Sequence, residues 1–322
     1  MALSAATAGA GGRTGPGRRS GDTGGANGGW EMAFVGSKPG DRAAAATLLA
    51  AVLAAATLFA TRTAAQEPPL RTAVDGTFPP HAMPVLTGGI QGFNVDLANA
   101  IAKRLGRAIT IDATQFSGLI PALQAGTYDF LAAPVTATPE RAESLLFTEG
   151  YLNTDYQFVV RRDAPDVTRL EDFRGKVIAV NKGSVYDSWA RDLASRIGWT
   201  IESFGTNTDA VQAVISGRAF ANVAGNTAVA WAAKSNPAIR LSYLHATGLV
   251  WAIPVRKDNV ELRRRIDVAL ECMKGDGTLA AMHEKWFGTA PAPGSAAATV
   301  YPGYGVPDMA GFDATGHPGA CR

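Results

Sequence analysis

Between Leu70 and Pro237 short apolar runs with strand character alternate with stretches whose apolar residues recur at helical spacing, and few folds accept that rhythm. "LRTAV" (70–74) reads as a strand ending at Asp75, before the turn "GTFPP". "NVDLANAIAKRLG" carries a stripe of Leu97, Ala100, Ile101 and Leu105, with Asn94 as the expected N-cap and Gly106 as the stop. "AITIDA" reads as a strand, "SGLIPALQAG" as a short helix, "YDFLAAPV" as a strand and "RAESLLF" as helical. The rhythm then repeats: strand "KVIAV", loop "NKGS", helix "VYDSWARDLASRIG", strand "IESF", helix "DAVQAVISG", strand "FANVAG" and helix "TAVAWAAKSNP". Strands alternating with helices of this length imply an α/β fold with parallel sheets covered on both faces.

Two such blocks meet near "QFVVRR" (157–162), and the chain returns through "LVWAIPVRKDN" into two last helices ending at "HEKWFG". Its 322 residues, 47 % hydrophobic, suffice for about two domains. Residues 289–322 are rich in Gly, Pro and Ala and read as an irregular tail.

The first 65 residues stand apart. Residues 43–60 are uncharged and apolar, follow Lys38 and Arg42, and precede "TRTAAQE", where Thr63 and Ala65 form a small-residue cleavage site. The segment reads as a secretory leader removed after Ala65, with its start at Met32 beyond a low-complexity stretch. An uncleaved anchor is the competing reading, because 18 helical residues span about 27 Å. Ten of those 18 are Ala, however, which is weakly hydrophobic for a span. Removing the leader removes six Lys/Arg and three Asp/Glu, so the whole-chain charge of +2 becomes −1. Nothing in that balance suggests a nucleic-acid partner. The one basic run, Arg263 to Arg265, is expected on the solvated face of a helix whose apolar face is Leu262, Ile266, Ala269 and Met273.

In open α/β sheets ligands sit beyond the carboxyl ends of strands. Four such ends carry polar or aromatic groups: Asp75 and Phe78, Phe116 and Ser117, Thr136 and Arg141, and Asn181 with Gly183 and Ser184. Arg141 is the odd one. With Thr138 as N-cap and Pro139 as first residue, it falls in a first helical turn, where the dipole disfavours a cation. Either Glu140 or Glu143 absorbs its charge, or it awaits an anion that the chain does not supply. A second strand–loop–helix start at "NKGS", in the other block, favours the latter and describes a cleft for a small carboxylate. Asp75 and Ser184 have an alternative role as local caps, and Phe78 and Phe116 as core.

The ordered set "LRTAVDGTFPPHA", "GFNVDLANAIAKRLG", "FSGLIPALQAGTYDFLAAPVTATPER", "GKVIAVNKGS" and "GTLAAMHEKWFG" resembles the family 3 extracellular solute-binding proteins, periplasmic receptors of polar amino acid ABC importers. The resemblance covers about residues 68–288. It implies a two-lobe, Venus-flytrap periplasmic-binding-protein fold with two hinge crossovers. Lobe 1 would be 66–157 with 250–288, and lobe 2 would be 162–247. By similarity, Arg141 and the backbone at Thr136 bind the ligand's α-carboxylate, and the loop of Asn181, Gly183 and Ser184 closes over it. Asp75 and Phe78 face the ligand side chain, and Phe116 stacks on it. Pro134, where the family often has Gly or Ser, keeps a carbonyl for an ammonium. The chain departs from the family where an Asp usually pairs with the α-ammonium: here stands Asn226, or Gly225 in a register one shorter. A carboxylate without an α-ammonium, or a derivatised amino acid, fits that change.

The expected function is thus delivery of a small carboxylate-bearing solute to the permease subunits of an ABC importer, by a periplasmic monomer that needs no cofactor. A cyclohexadienyl-dehydratase-like enzyme on the same fold and a non-transport sensor or accessory protein are the alternatives. The histidines, His81, His245, His283 and His317, show no metal spacing or triad, and His81 lies nearest the cleft. Export to an oxidising compartment allows a disulfide between Cys272 and Cys321, which would staple the tail to the penultimate helix. Two free thiols are the alternative.

Overall fold

The computed structural model describes residues 67–316 and 321. The leader, its cleavage site, the Met32 start and His317 lie outside the described residues.

The first half opens with β1 (Leu70–Asp75), the two-residue ribbon strands β2 (Met83–Pro84) and β3 (Ile90–Gln91), and α1 (Phe93–Leu105). It continues with β4 (Ile109–Thr114), α2 (Phe116–Gln124), β5 (Phe130–Leu131), β6 (Val135–Thr136) and α3 (Pro139–Ser144). A 17-residue strand, β7 (Leu145–Arg161), carries the chain into the second half. There a 3-10 turn at Leu170–Phe173 precedes β8 (Val177–Asn181), α4 (Val185–Asp192), α5 (Ala194–Ile197) and β9 (Thr200–Phe204). They are followed by α6 (Asn207–Ile215), β10 (Ala221–Gly225) and α7 (Asn226–Ser235). An 18-residue strand, β11 (Ile239–Arg256), returns the chain to α8 (Val260–Gly275) and α9 (Thr278–Phe287).

The strands form one mixed sheet in the order β4-β1-β5-β11-β7-β10-β8-β9, with β6 also on β11. Within each half pairing is parallel, β1 with β4 and β5, β8 with β9 and β10. The expectation of purely parallel sheets fails at the centre, where β7 and β11 run antiparallel from Ile239 opposite Arg161 to Arg256 opposite Leu145. A chain that crosses to a second half and comes back must lay its two crossings side by side in opposite directions. Their register slips at four places, so this pair bends between the halves.

Several local readings change in the same way. "YDFLAAPV" is strand only at Phe130–Leu131, resuming at β6, because Ala132 and Ala133 both turn their N–H groups to Ala73 O and Pro134 has none. The helical pattern of "RAESLLF" ends at Ser144, and Leu145–Phe147 already belong to β7. Gly92, not Asn94, precedes α1; its φ is 151°, and a Cβ there would lie 2.2 Å from the His81 carbonyl oxygen. Asn94 is turned inward instead, donating to Ala132 O and to the Tyr151 hydroxyl.

The tail has no helix or extended strand in residues 289–316, yet it is packed. Ala296 and Ala297 are buried, and Tyr304 bridges Asp313. Cys272 on α8 is bonded to Cys321 through sulfur. Arg263 is the clear correction to the sequence reading. It is 2 % exposed rather than solvated, because Tyr304 lies over its guanidinium and Gly311 O accepts from it. The helical period places Arg263 beside Leu262, and nothing in that period reveals the tail that covers it.

Candidate functional site

The carboxyl ends of β1, β6 and β8, together with the starts of α2 and α4, surround one cleft between the halves. It is narrow, with a free interior of about 10 Å³, and is lined by Asp75, Phe78, Phe116, Pro134, Thr136, Arg141, Asn181, Ser184, Val185 and Tyr186. Eight of the ten residues singled out from sequence therefore meet in one place. The other two lie beside it. Gly183 has its Cα against Ser117 of the opposite half, so that a Cβ would come within 3.1 Å of the Ser117 Cα. Asn226 is the first residue of α7, and its Oδ1 is buried without a hydrogen-bond partner among the described residues.

Arg141 owes its position to the cap before it. Thr138 Oγ1 accepts from Arg141 N at 3.3 Å, Pro139 starts α3, and the guanidinium turns back so that Nη1 donates to Thr136 O at 3.1 Å. α3 has only six residues, so its dipole is weak, and the positive charge here belongs to the side chain. Neither Glu140 nor Glu143 forms an ion pair with Arg141 among the described residues. Burial lowers the guanidinium's affinity for its proton, only partly offset by Tyr186, Tyr156 and Glu140. The Phe116 ring lies beneath it at 5.8 Å. A guanidinium has five N–H donors, and this one spends one of them on protein.

Asp75 is a turn cap and a cleft residue at once. Its Oδ1 accepts from Thr77 N at 3.0 Å and Thr77 Oγ1 at 2.7 Å, while Oδ2 accepts from Asn181 Nδ2 of the other half at 2.9 Å. Phe78 and Phe116 likewise belong both to the core and to the cleft wall. Ser184 caps α4 by accepting from Asp187 N, which leaves its O–H free to donate. The "NKGS" loop is less open than its sequence suggests. Lys182 N, Gly183 N and Ser184 N are satisfied by Phe204 O, Asp187 Oδ2 and Asn181 O. The second half thus presents side chains rather than loop N–H groups.

The halves touch directly. Besides Asn181 and Asp75, Thr208 Oγ1 donates to Thr77 O at 3.0 Å, and His81 Nε2 meets Thr227 Oγ1 at 2.7 Å. The hydrogen-bond chain fixes the histidine tautomer. Asn94 Nδ2 must point at the Ala132 carbonyl, so Asn94 Oδ1 accepts from His81 Nδ1–H, and Nε2 accepts from the Thr227 hydroxyl. His81 is fully buried among Phe78, Phe93, Trp251 and Phe287, and burial lowers its pKa to about 3.

Three residues escaped the sequence reading, Val185 and Tyr186 in the cleft wall and Trp251 behind it. Tyr186 is buried, with its hydroxyl among Thr154, Trp251 and Thr136 and its pKa pushed up to about 12 by that burial. Its place in the first turn after "NKGS" was the available signal. Trp251 is fully buried and donates from Nε1 to Thr136 Oγ1 at 3.2 Å. A Cβ on Gly225 would meet the Trp251 ring at 2.4 Å and the Tyr186 hydroxyl at 2.8 Å, so only glycine fits there. Outside the cleft, a groove of about 460 Å³ beside Cys272 carries Arg104, Arg264 and Arg265. Those cations are paired with Asp276, Asp313 and Glu67, unlike Arg141. Among the described residues no cluster of His, Cys, Asp or Glu could hold a metal ion, and no helix is long and apolar enough to cross a membrane.

Comparison with known proteins points the same way. The chain is 31 % identical over 247 residues to the putative ABC transporter arginine-binding protein 2 of Escherichia coli (strain K12), covering 74 % of this chain and 98 % of that one. Structures of an ancestral arginine-binding protein, bound to arginine and bound to glutamine, each align with a TM-score of 0.66 at 35 % identity, over 69 % of this chain and 99 % of theirs. An ancestral amino acid-binding protein, a precursor of cyclohexadienyl dehydratase, aligns with a TM-score of 0.64 at 32 % identity, over 68 % of this chain and 95 % of its own. Residues 70–289, from β1 to just past α9, match one family throughout, and the chain belongs to the bacterial extracellular solute-binding proteins, family 3.

Proposed function

We propose that this chain is an exported, periplasmic receptor that captures a small carboxylate-bearing solute, an amino acid or a derivative of one, and hands it to the permease of an ABC importer. The observation that carries this reading is Arg141, a part-buried guanidinium that lines the cleft, with no ion-pair partner among the described residues and one donor bonded to Thr136 O. A carboxylate accepts two of the remaining donors in parallel, which is the geometry a guanidinium fork matches. Phe78 and Phe116 supply apolar walls, and Asp75 the opposite charge. The similar arginine-binding and amino acid-binding proteins support the same class of solute.

Binding without turnover is the better reading of this cleft. The one histidine close to it is sequestered as a neutral hydrogen-bond link, and the one carboxylate lining it is already held by Thr77 and Asn181. General acid–base work needs a group poised to exchange a proton with a substrate. Incubation of purified protein with its tightest-binding solute should leave that solute chemically unchanged; consumption would turn the reading toward an enzyme. The binding reading itself is tested by calorimetry on wild type and Arg141→Ala, which should fold normally and bind at least a hundredfold more weakly. Arg141→Lys should recover little, since the fork is missing.

A further inference from the structure

The cleft's charge is unevenly built. Of its ten lining residues two are charged, Arg141 and Asp75, and both come from the first half. The second half lines it with Asn181, Ser184, Val185 and Tyr186, all neutral. Groups near the rim add no charge to the interior. Lys182 and Glu140 are exposed, and Asp187 is engaged by Arg191 and Ser203. His81 is fully buried among aromatic rings, which disfavours its charged form, and Asn226 puts an amide, not a carboxylate, at the head of α7.

Asp75 is 1 % exposed, and three of its four lone-pair sites are filled by Thr77 and Asn181. One remains for a ligand. With one part-buried guanidinium and one buried carboxylate, the charge lining the interior already sums to zero. A zwitterion placed between them puts its carboxylate on Arg141 and one donor or cation toward Asp75. A solute with a further positive charge would bury that charge without a partner, which is strongly unfavourable in a desolvated site.

We infer that the cleft selects solutes of zero net charge and disfavours arginine and lysine, in contrast to the specificity for which its arginine-binding relatives are named. The inference rests on the carboxylate reading of Arg141 and goes beyond it by fixing the charge class of the solute. The ancestral relative seen with both arginine and glutamine has a fold like this one that holds either charge class. The fold alone therefore does not decide the charge class, and the lining charges of this chain have to be counted for themselves.

The test is a calorimetric panel of the twenty common amino acids plus L-citrulline, which has arginine's shape with a neutral ureido group. Net-neutral members should bind tightest, and citrulline at least tenfold tighter than arginine. Arginine, lysine, aspartate or glutamate as the tightest member overturns the charge rule while leaving the carboxylate site intact. No binding by any member overturns both. Ser184→Asp adds one negative charge to the lining and retains a helix-capping oxygen. It should shift the arginine-to-citrulline affinity ratio at least tenfold toward arginine; an unmoved ratio in this folded variant also overturns the charge rule.

Discussion

Lys274 and Arg141 are both cations drawn in from solvent, Lys274 fully and Arg141 in part, and the protein treats them in opposite ways. Lys274 is 1 % exposed, and its ammonium contacts Glu149 Oε1, Gly150 O and Thr299 O, each at 2.8 Å. An ammonium has three donors, and all three are used. Burial lowers its proton affinity, and Glu149 opposes the shift. Around it the same patch buries Asp267, which accepts from Glu149 N and Gly305 N, and Arg263 under Tyr304. Arg141 spends one donor of five. Burial alone therefore does not mark a site. A buried cation whose donors are spent within the protein is structure; one whose donors are withheld is the kind of group on which the proposed carboxylate site rests.

The sharpest way to break this contrast is at Lys274. Lys274→Met leaves the Glu149 carboxylate buried without its counter-charge, and breaking such a pair costs about 3–5 kcal/mol. Urea unfolding should register that loss, while ligand affinity stays within about threefold of wild type. A large affinity loss here would erase the distinction from Arg141. The second break is the staple. Cys272 and Cys321 are 49 residues apart in sequence, and a closed loop of that size is worth at most about 4 kcal/mol by the chain-entropy model. The tail it secures supplies Thr299 O to Lys274. The double Cys→Ser variant should therefore lose stability and speed proteolysis after residue 288, with binding unaltered.

Arg141→Ala is the mirror image. Stability should change by less than about 1 kcal/mol, because one neutral-acceptor hydrogen bond is lost and a desolvation cost is removed. Affinity should fall at least a hundredfold, about 2.7 kcal/mol, in calorimetry. A variant that unfolds instead would move Arg141 to the side of Lys274.

The pair also shows what a sequence can reveal. Arg141 was legible because its neighbours state the local geometry. Thr138, Pro139 and the preceding strand fix the turn within a few residues, and the oddity of a cation there is a local fact. Asp75, Phe116 and Asn181 were legible for the same reason, as residues at strand ends. Arg263 and Lys274 were not. Their surroundings are made by Thr299–Gly311, some 25 to 48 residues away and without periodicity, so only the folded tail explains them. Trp251 was hidden differently. Nothing in "LVWAIPV" says that its ring lies on Thr136 and Gly225 from two distant strands.

His81 offers a third case, a titratable group kept uncharged, and it gives the pH dependence its sign. Its pKa falls from 6.5 in water to about 3, by burial, opposed by the Asn94 hydrogen bond. Between those values the unfolded chain binds a proton that the folded chain refuses. Stability from this group is thus complete above about pH 6.5 and declines as pH falls toward 3. At pH 5 the loss is about 2 kcal/mol. Protonation turns the contact with Thr227 around, so that Nε2–H donates and the hydroxyl accepts, and the cost of acid lies in burying the charge. His81→Gln should flatten the stability difference between pH 7 and pH 5 in urea unfolding; an unchanged slope would place the acid-sensitive group elsewhere.

The smallest effect concerns Asn226, one of the two positions, with Gly225, at which the family resemblance implies an acidic residue. Its Oδ1 is buried and unpartnered among the described residues, so a carboxylate can replace the amide with little change of shape. At the first turn of α7 the helix dipole also favours a negative charge. Asn226→Asp should then strengthen binding of an α-amino acid by about 1 kcal/mol, since a charge-assisted hydrogen bond is roughly twice as strong as a neutral one. For the matching acid without its amine the sign reverses, because the new carboxylate faces an anion with nothing between them. Calorimetry on that matched pair measures both signs on one variant. Equal affinities in variant and wild type for both solutes would mean that the α7 head group lies outside the reach of the ligand, and that the charge of the cleft is set by Arg141 and Asp75 alone.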